Sequence, residues 1–178
     1  MRSAKIAALA YLALTSTAFA APQGLFGKSI TIAWNETRSQ RIGESGPFRP
    51  VSIPYNTTFY VSAQGRLFTR TTAKGGMGGG FGSVDRVGNS GGNAAGDARN
   101  ASFSGNALVQ NTAFGGAGRH IEITFDSGFS SCNAHVVTGM PKGSKTAVVR
   151  SIATGSNVEF ESVSAGSASC SISNGNPF

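Results

Sequence analysis

His120, Glu122 and His135 are the side chains of this chain best suited to hold a metal ion. His120 and Glu122 stand two residues apart, so in an extended strand they share one face. His135 joins them if the next strand pairs in the right register. Two imidazoles and a carboxylate then form a zinc set with a position left open for water, and the chemistry would be metal-assisted hydrolysis. A slip of one residue sends His135 to the other face, and a solvated polar strand is the plainer reading. Glu159 and Glu161 also share a face, but no cleft is indicated that would raise the pKa of one carboxyl for acid–base work.

Gly88-Asn89-Ser90-Gly91-Gly92 has the outline of a serine-protease nucleophile motif, yet Asn89 stands where that family has Asp. Both histidines follow Ser90 in the chain, and the serine sits in a Gly-rich stretch where preorganisation is hardest. No catalytic residue is assigned. Phosphate loops are absent as well, since no G-x-x-x-x-G-K-[ST] occurs and Gly27-Lys28-Ser29 leads into a strand rather than a helix. No cofactor signature is present. Arg66, Phe68 and Arg70 alternate along one strand face, and Arg38 and Arg41 follow the first strand. Basic residues interleaved with an aromatic suit an anionic ligand. In an exported chain that ligand is an anionic envelope polymer or glycan rather than nucleic acid.

Export is the expectation from residues 1–20. Arg2 and Lys5 precede the apolar run Ile6 to Leu14, and Ala18-Phe19-Ala20 supplies the small residues of a signal-peptidase site. Cleavage leaves Ala21 first, and no Cys is placed to carry a lipid anchor. The leader takes two positive charges with it, so the net charge falls from +7 to +5. The mature chain of about 158 residues, 21–178, is long enough to bury about two-thirds of its unfolded surface as one domain. It contains no apolar run long enough for a transmembrane helix. Its two cysteines, Cys132 and Cys170, read as one disulfide in an oxidising compartment. Closing a loop of that size stabilises by about 4 kcal/mol in the chain-entropy model.

The elements that must position these groups are strands. Ile30, Ile32 and Trp34 alternate with small or polar residues and predict a first strand of about seven residues with Trp34 in the core. Gln64-Gly65 predicts a tight hairpin, and Val51 to Pro54 a short edge strand. Further strands are expected at Ala101–Phe103, Ala107–Val109, Ile121–Phe125, Cys132–Val136, Ala147–Ile152, Val158–Val163 and Ala168–Ile172, the last two separated by Gly166. Residues 75–96 hold ten Gly and predict a long mobile loop. The fold class is therefore all-β, a single antiparallel sandwich or small barrel of about eight short strands. An outer-membrane barrel fits less well, because the runs are short and their outward faces are polar.

Lys28-Ser29-Ile30-Thr31-Ile32-Ala33-Trp34, Gly65-Arg66-Leu67-Phe68, Phe125 to Cys132 and the ending Cys170-Ser171-Ile172 to Gly175-Asn176 resemble small exported proteins of alphaproteobacteria, rhizobia in particular. The resemblance implies a bacterial periplasmic or secreted protein and carries over no catalytic residue and no ligand. The leading expectation is a non-enzymatic domain for binding or envelope interaction. A metal-assisted hydrolase and a periplasmic inhibitor of a hydrolase such as lysozyme, inserting the 75–96 loop into a cleft, are the alternatives.

Overall fold

A computed structural model describes residues 21–43, 45–73, 86–89, 100–114, 117–140, 142–150 and 156–178. The expected leader, residues 1–20, lies outside them. After a short 3-10 turn at Gln23–Leu25, ten strands follow in the described residues: β1 (Lys28–Ile42), β2 (Arg49–Val61), β3 (Leu67–Ala73), β4 (Arg86–Asn89), β5 (Ala101–Ser104), β6 (Ala107–Phe114), β7 (Ala117–Phe125), β8 (Cys132–Gly139), β9 (Ala147–Arg150) and β10 (Asn157–Asn174). They form a six-stranded sheet in the order β4-β3-β2-β1-β10-β9 and a four-stranded sheet in the order β5-β6-β7-β8. Every pairing is antiparallel. The fold is all-β, as the alternation predicts. No helix among the described residues is long and apolar enough to cross a membrane.

The strands are longer than their apolar runs. β1 continues past Trp34 for two further turns of the pleat, keeping Ile30, Ile32, Trp34, Glu36, Arg38 and Gln40 all on the buried face. β10 runs unbroken through Gly166, where the sequence predicts a boundary between two strands. The reason is a pair of bulges. Asn35 of β1 lies opposite both Gly166 and Ser167, and Glu161 is inserted between the partners of Ser39 and Gln40. Each inserted residue flips the inward phase of β10, from Val158 and Phe160 to Val163 and Ala165, then back to Ala168, Cys170 and Ile172. A Cβ on Gly166 would stand 3.3 Å from the Asn35 carbonyl oxygen, which favours Gly at the bulge. Val51 to Pro54 belongs to the long strand β2, where Pro54 pairs with Asn35 of β1 beyond the β3 ladder, which ends at Tyr55. Arg86–Asn89 within the Gly-rich stretch forms β4 against β3, so that part is not loop. The rest of 75–96, Ser90 included, lies outside the described residues.

The core lies between the sheets. Ile30, Ile32, Trp34, Phe59 and Val61 of the larger sheet pack with Phe103, Leu108, Ile121, Ile123, Phe125 and Val136 of the smaller one. Cys132 of β8 is bonded to Cys170 of β10, with Cα atoms 5.7 Å apart, so the disulfide staples one sheet to the other. At the same end, the turn from β7 to β8 is tied by Asp126, whose carboxylate accepts hydrogen bonds from the backbone N–H of Ser130 (2.7 Å) and Ser131 (3.0 Å) and from the Ser130 hydroxyl. Gly24 lies so close to the Phe129 ring that a Cβ there would come within 2.5 Å of it. The hairpin turn is present where expected. Gly65 has φ +75°, and Ser62 Oγ accepts from the Gln64 and Arg66 amides.

Two outcomes follow. Trp34 is 3% exposed, stacks on Tyr55 with centroids 5.2 Å apart, and packs in the apolar core. Trp34→Ala should cost about 3–5 kcal/mol in urea unfolding, and wild-type emission should be blue-shifted and resistant to acrylamide. The hydrogen bonds from the Ser130 hydroxyl and then the Ser131 and Ser130 amides hold the Asp126 carboxyl below its ordinary value of 3.8. A lowered folded-state pKa contributes stability above the unfolded value and loses it as pH falls through the folded one. The urea midpoint should therefore decline from about pH 4 downward, and Asp126→Asn should flatten that part of the decline.

Candidate functional site

Period two in β1 gives the strand two unlike faces. Its inward face carries Glu36 and Arg38 in phase with Ile30, Ile32 and Trp34. Glu36 is fully buried, and its Oε1 accepts from Arg38 Nε at 2.6 Å, while Arg119 Nη2 of β7 reaches its Oε2 at 2.7 Å. Arg38 Nη2 also donates to the Tyr55 hydroxyl at 2.8 Å. The Arg119 guanidinium lies over the stacked Trp34 and Tyr55 rings, 5.2 and 4.3 Å from their centroids, and that of Arg38 lies 5.3 Å from the centroid of Phe160. Arginine suits both roles, because its planar fork can pair with a carboxylate while its face stacks on an aromatic ring. This charged layer separates the main core from a smaller apolar cluster of Ala117, Ala147, Phe160 and Val163. Thr112 and Thr138 flank Arg119 on the neighbouring strands. Their hydroxyls, the Gln40 amide and Trp34 Nε1 have no hydrogen-bond partner among the described residues.

The outer face of the same sheet is different. Ser29, Thr31, Ala33, Asn35, Thr37 and Ser39 of β1 lie beside Ser173, Ser171, Ser169, Ser164 and Ser162 of β10, and beside Tyr60, Thr58, Asn56, Pro54 and Ser52 of β2. The residues named are neutral, and the first carboxylate met along the rows is Glu161, which accepts from the Ser39 hydroxyl at 2.8 Å. Hydroxyls pair across them, Thr31 with Thr58 at 3.3 Å and Ser29 with Ser173 at 2.8 Å. One end of the face is aromatic and basic. Phe68 of β3 stands 6.2 Å from Tyr60, which meets Phe178 edge-on at 6.5 Å, and Arg66 and Arg70 lie on either side of Phe68 in sequence. The far end is closed by Arg41, paired with Glu159 at 2.6 Å and stacked over Phe48. Beside Asn35, Ser167 and Pro54 the face opens into a shallow groove of about 350 Å³.

The basic residues singled out from sequence are thus divided. Phe68 and Arg70 lie opposite Tyr60 and Thr58 at one end of the outer face, and Arg66 precedes them in the turn. Arg41 is on that face but at the opposite end, and Arg38 points into the core. Arg38 and Arg41 are three positions apart, an odd spacing that puts them on opposite sides of a strand. Glu122 and His135 are direct cross-strand partners on the outer face of the smaller sheet, and His120 lies opposite Val137. The register therefore brings His120, Glu122 and His135 onto one face, as the metal reading required. Among the described residues no three His, Cys, Asp or Glu side chains are grouped to hold an ion, and His120 Nδ1 is hydrogen-bonded to Asn111 Oδ1 at 2.8 Å. Sequence reasoning missed Glu36, Tyr60, Asn35 and Arg119. For Glu36 and Arg38 the signal was present, since both continue the phase of Ile30, Ile32 and Trp34. Arg119 carried none, because its partner is 83 residues away.

Removing one member of a buried ion cluster leaves the remaining charges uncompensated. Glu36→Gln should lower unfolding stability by about 3–5 kcal/mol in chemical denaturation. Replacing Glu36, Arg38 and Arg119 together by Leu and Met should recover most of that loss, since no charge is then stranded.

Set against known proteins, the chain matches no protein-family model, no curated protein and no solved structure.

Proposed function

We propose that this protein is a non-enzymatic, extracytoplasmic binding domain that takes an anionic glycan on the outer face of its six-stranded sheet. The observation that carries the reading is the pairing of Phe68 with Tyr60, with Arg70 next along that face and Arg66 in the turn just before β3. Aromatic rings offer apolar area to a sugar ring, and guanidiniums pair with carboxylate, sulfate or phosphate groups. The neutral hydroxyl and amide rows beyond them can exchange hydrogen bonds with a polyhydroxylated chain directly or through water. The net positive charge of the chain favours approach of a polyanion. An exported setting is supported by the leader-like residues 1–20 and by the Cys132–Cys170 bond, which persists in oxidising compartments.

Titration with polygalacturonate tests the reading. Binding is expected at low ionic strength and should weaken steeply near molar salt, where the Debye length falls to about 3 Å. Arg66→Gln/Arg70→Gln should weaken it about tenfold, equivalent to about 1.4 kcal/mol, with an unchanged urea midpoint. A failure to bind polygalacturonate or any other acidic polysaccharide at low salt would overturn it.

A further inference from the structure

The groove beside Asn35 has a definite structural origin. Gly166 and Ser167 of β10 oppose the single residue Asn35, and the extra residue of a bulge is left out of the ladder. The chain bends locally there, and the outer surface opens between Ser167, Ser169, Asn35 and Pro54. Asn35 offers two amide donors and a carbonyl acceptor, and the two serines offer hydroxyls. Ser169 Oγ is held toward the Ala33 carbonyl oxygen at 3.4 Å. Pro54 adds a carbon surface. The lining contains no charged side chain. A neutral ring that carries hydroxyls and a carbon face matches this lining, which offers hydrogen bonds and apolar area but no cation to pair with a carboxylate.

Position completes the argument. Tyr60 of the aromatic end pairs with Ser29, and Asn35 lies six residues further along β1. At about 3.4 Å per residue the two places are about 20 Å apart on one face. Between them stand Thr31, Ala33 and their small neighbours, which neither block nor repel an extended chain. We infer that the groove opened by the Gly166–Ser167 bulge is a second, neutral subsite, and that the ligand is a linear polysaccharide of mixed acidic and neutral sugars lying along β1. Its acidic units meet Arg66 and Arg70, and an uncharged unit sits beside Asn35. This inference rests on the outer-face reading and adds the ligand's sequence of charges and its minimum length.

Linking two subsites makes the second contact intramolecular, so affinity should step up once the ligand bridges them. Size-graded hyaluronan fragments, in which an acidic and a neutral sugar alternate, supply the probe. Fragments shorter than about 20 Å should bind weakly, and those long enough to bridge should bind at least about tenfold more tightly with no further gain per subsite. Fully acidic oligogalacturonides of the same length should bind less well than hyaluronan fragments. Asn35→Ala and Ser169→Ala, both on the exposed face, should remove the step and leave the weak binding of short fragments unchanged. Arg66→Gln/Arg70→Gln should weaken all lengths. If short and long fragments bind alike, or if Asn35→Ala weakens both equally, the groove is not a subsite while the aromatic and basic end stands. If acidic polymers bind nowhere, the outer-face reading falls with it. Preference for an acidic peptide over every saccharide would overturn the polysaccharide assignment.

Discussion

A carboxylate with no contact with solvent, Glu36, is held between a guanidinium of its own strand and one from the opposite sheet. Taking an ionised group out of water costs several kcal/mol even after the surroundings relax, so Glu36 can stay inside only while its cations stay with it. Arg38 is two residues away on the same face and comes with β1 itself. Arg119 does not. It arrives only when β7 lies across β1 with the correct residue facing Glu36, so the pair fixes how the two sheets stack. A sandwich held by apolar contacts alone could slide by one pleat at modest cost, because one Ile or Val resembles another. An ion cluster cannot slide without stranding a charge. The interaction therefore selects one alignment more than it adds net stability, and the disulfide from Cys132 to Cys170 fastens the same two sheets elsewhere.

The aromatic residues around this cluster serve the charges as much as the core. Trp34 and Tyr55 stack nearly parallel, 9° apart, and present a face to Arg119. Phe160 presents its face to Arg38. Each guanidinium thus has a carboxylate in its plane and a π-surface against its face, the arrangement in which a weakly hydrated cation loses least on burial. The cost falls on specificity of composition. Lys at either position would keep the charge and lose the planar fork and the stack. The interior divides at this layer into a large apolar cluster and a small one, and Gln40, Thr112 and Thr138 mark the polar seam between them.

Alternation was legible wherever inward residues were apolar. Ile121, Ile123 and Phe125 face inward with His120, Glu122 and Thr124 outward, as period two requires, and the two cysteines admitted only one pairing. The reading stopped where polarity stopped tracking burial. Polarity alone ends β1 at Trp34, because Glu36 and Arg38 look like surface residues, although their phase says otherwise. A charge that brings its own counter-charge at i+2 is invisible to a rule that equates charge with exposure. Bulges defeated the reading of β10 for a related reason. An inserted residue shifts the phase without any change in composition, so one strand with two insertions resembles two separate strands. Of the basic set, Arg66 and Arg70 are legible together because they flank Phe68 at even spacing along one hairpin arm, whereas the odd spacing of Arg38 and Arg41 divides them between two faces.

The same insertions connect the interior to the outer surface. Counting along β10 from Phe160, the insertion at Glu161 sets the inward phase to Val163 and Ala165. Continued without interruption, that phase would bring Ser169 and Ser171 inward and turn Cys170 to solvent, away from Cys132. The second insertion, opposite Asn35, restores Ala168, Cys170 and Ile172 to the core and so permits the inter-sheet bond. It also leaves Ser167 outside the ladder beside Asn35, where the outer face opens. Gly166 is favoured there because a side chain would press on the Asn35 carbonyl oxygen. The groove and the disulfide are therefore consequences of one inserted residue. A deletion that regularised the ladder would close the first and break the second together, although they lie on opposite faces of the sheet.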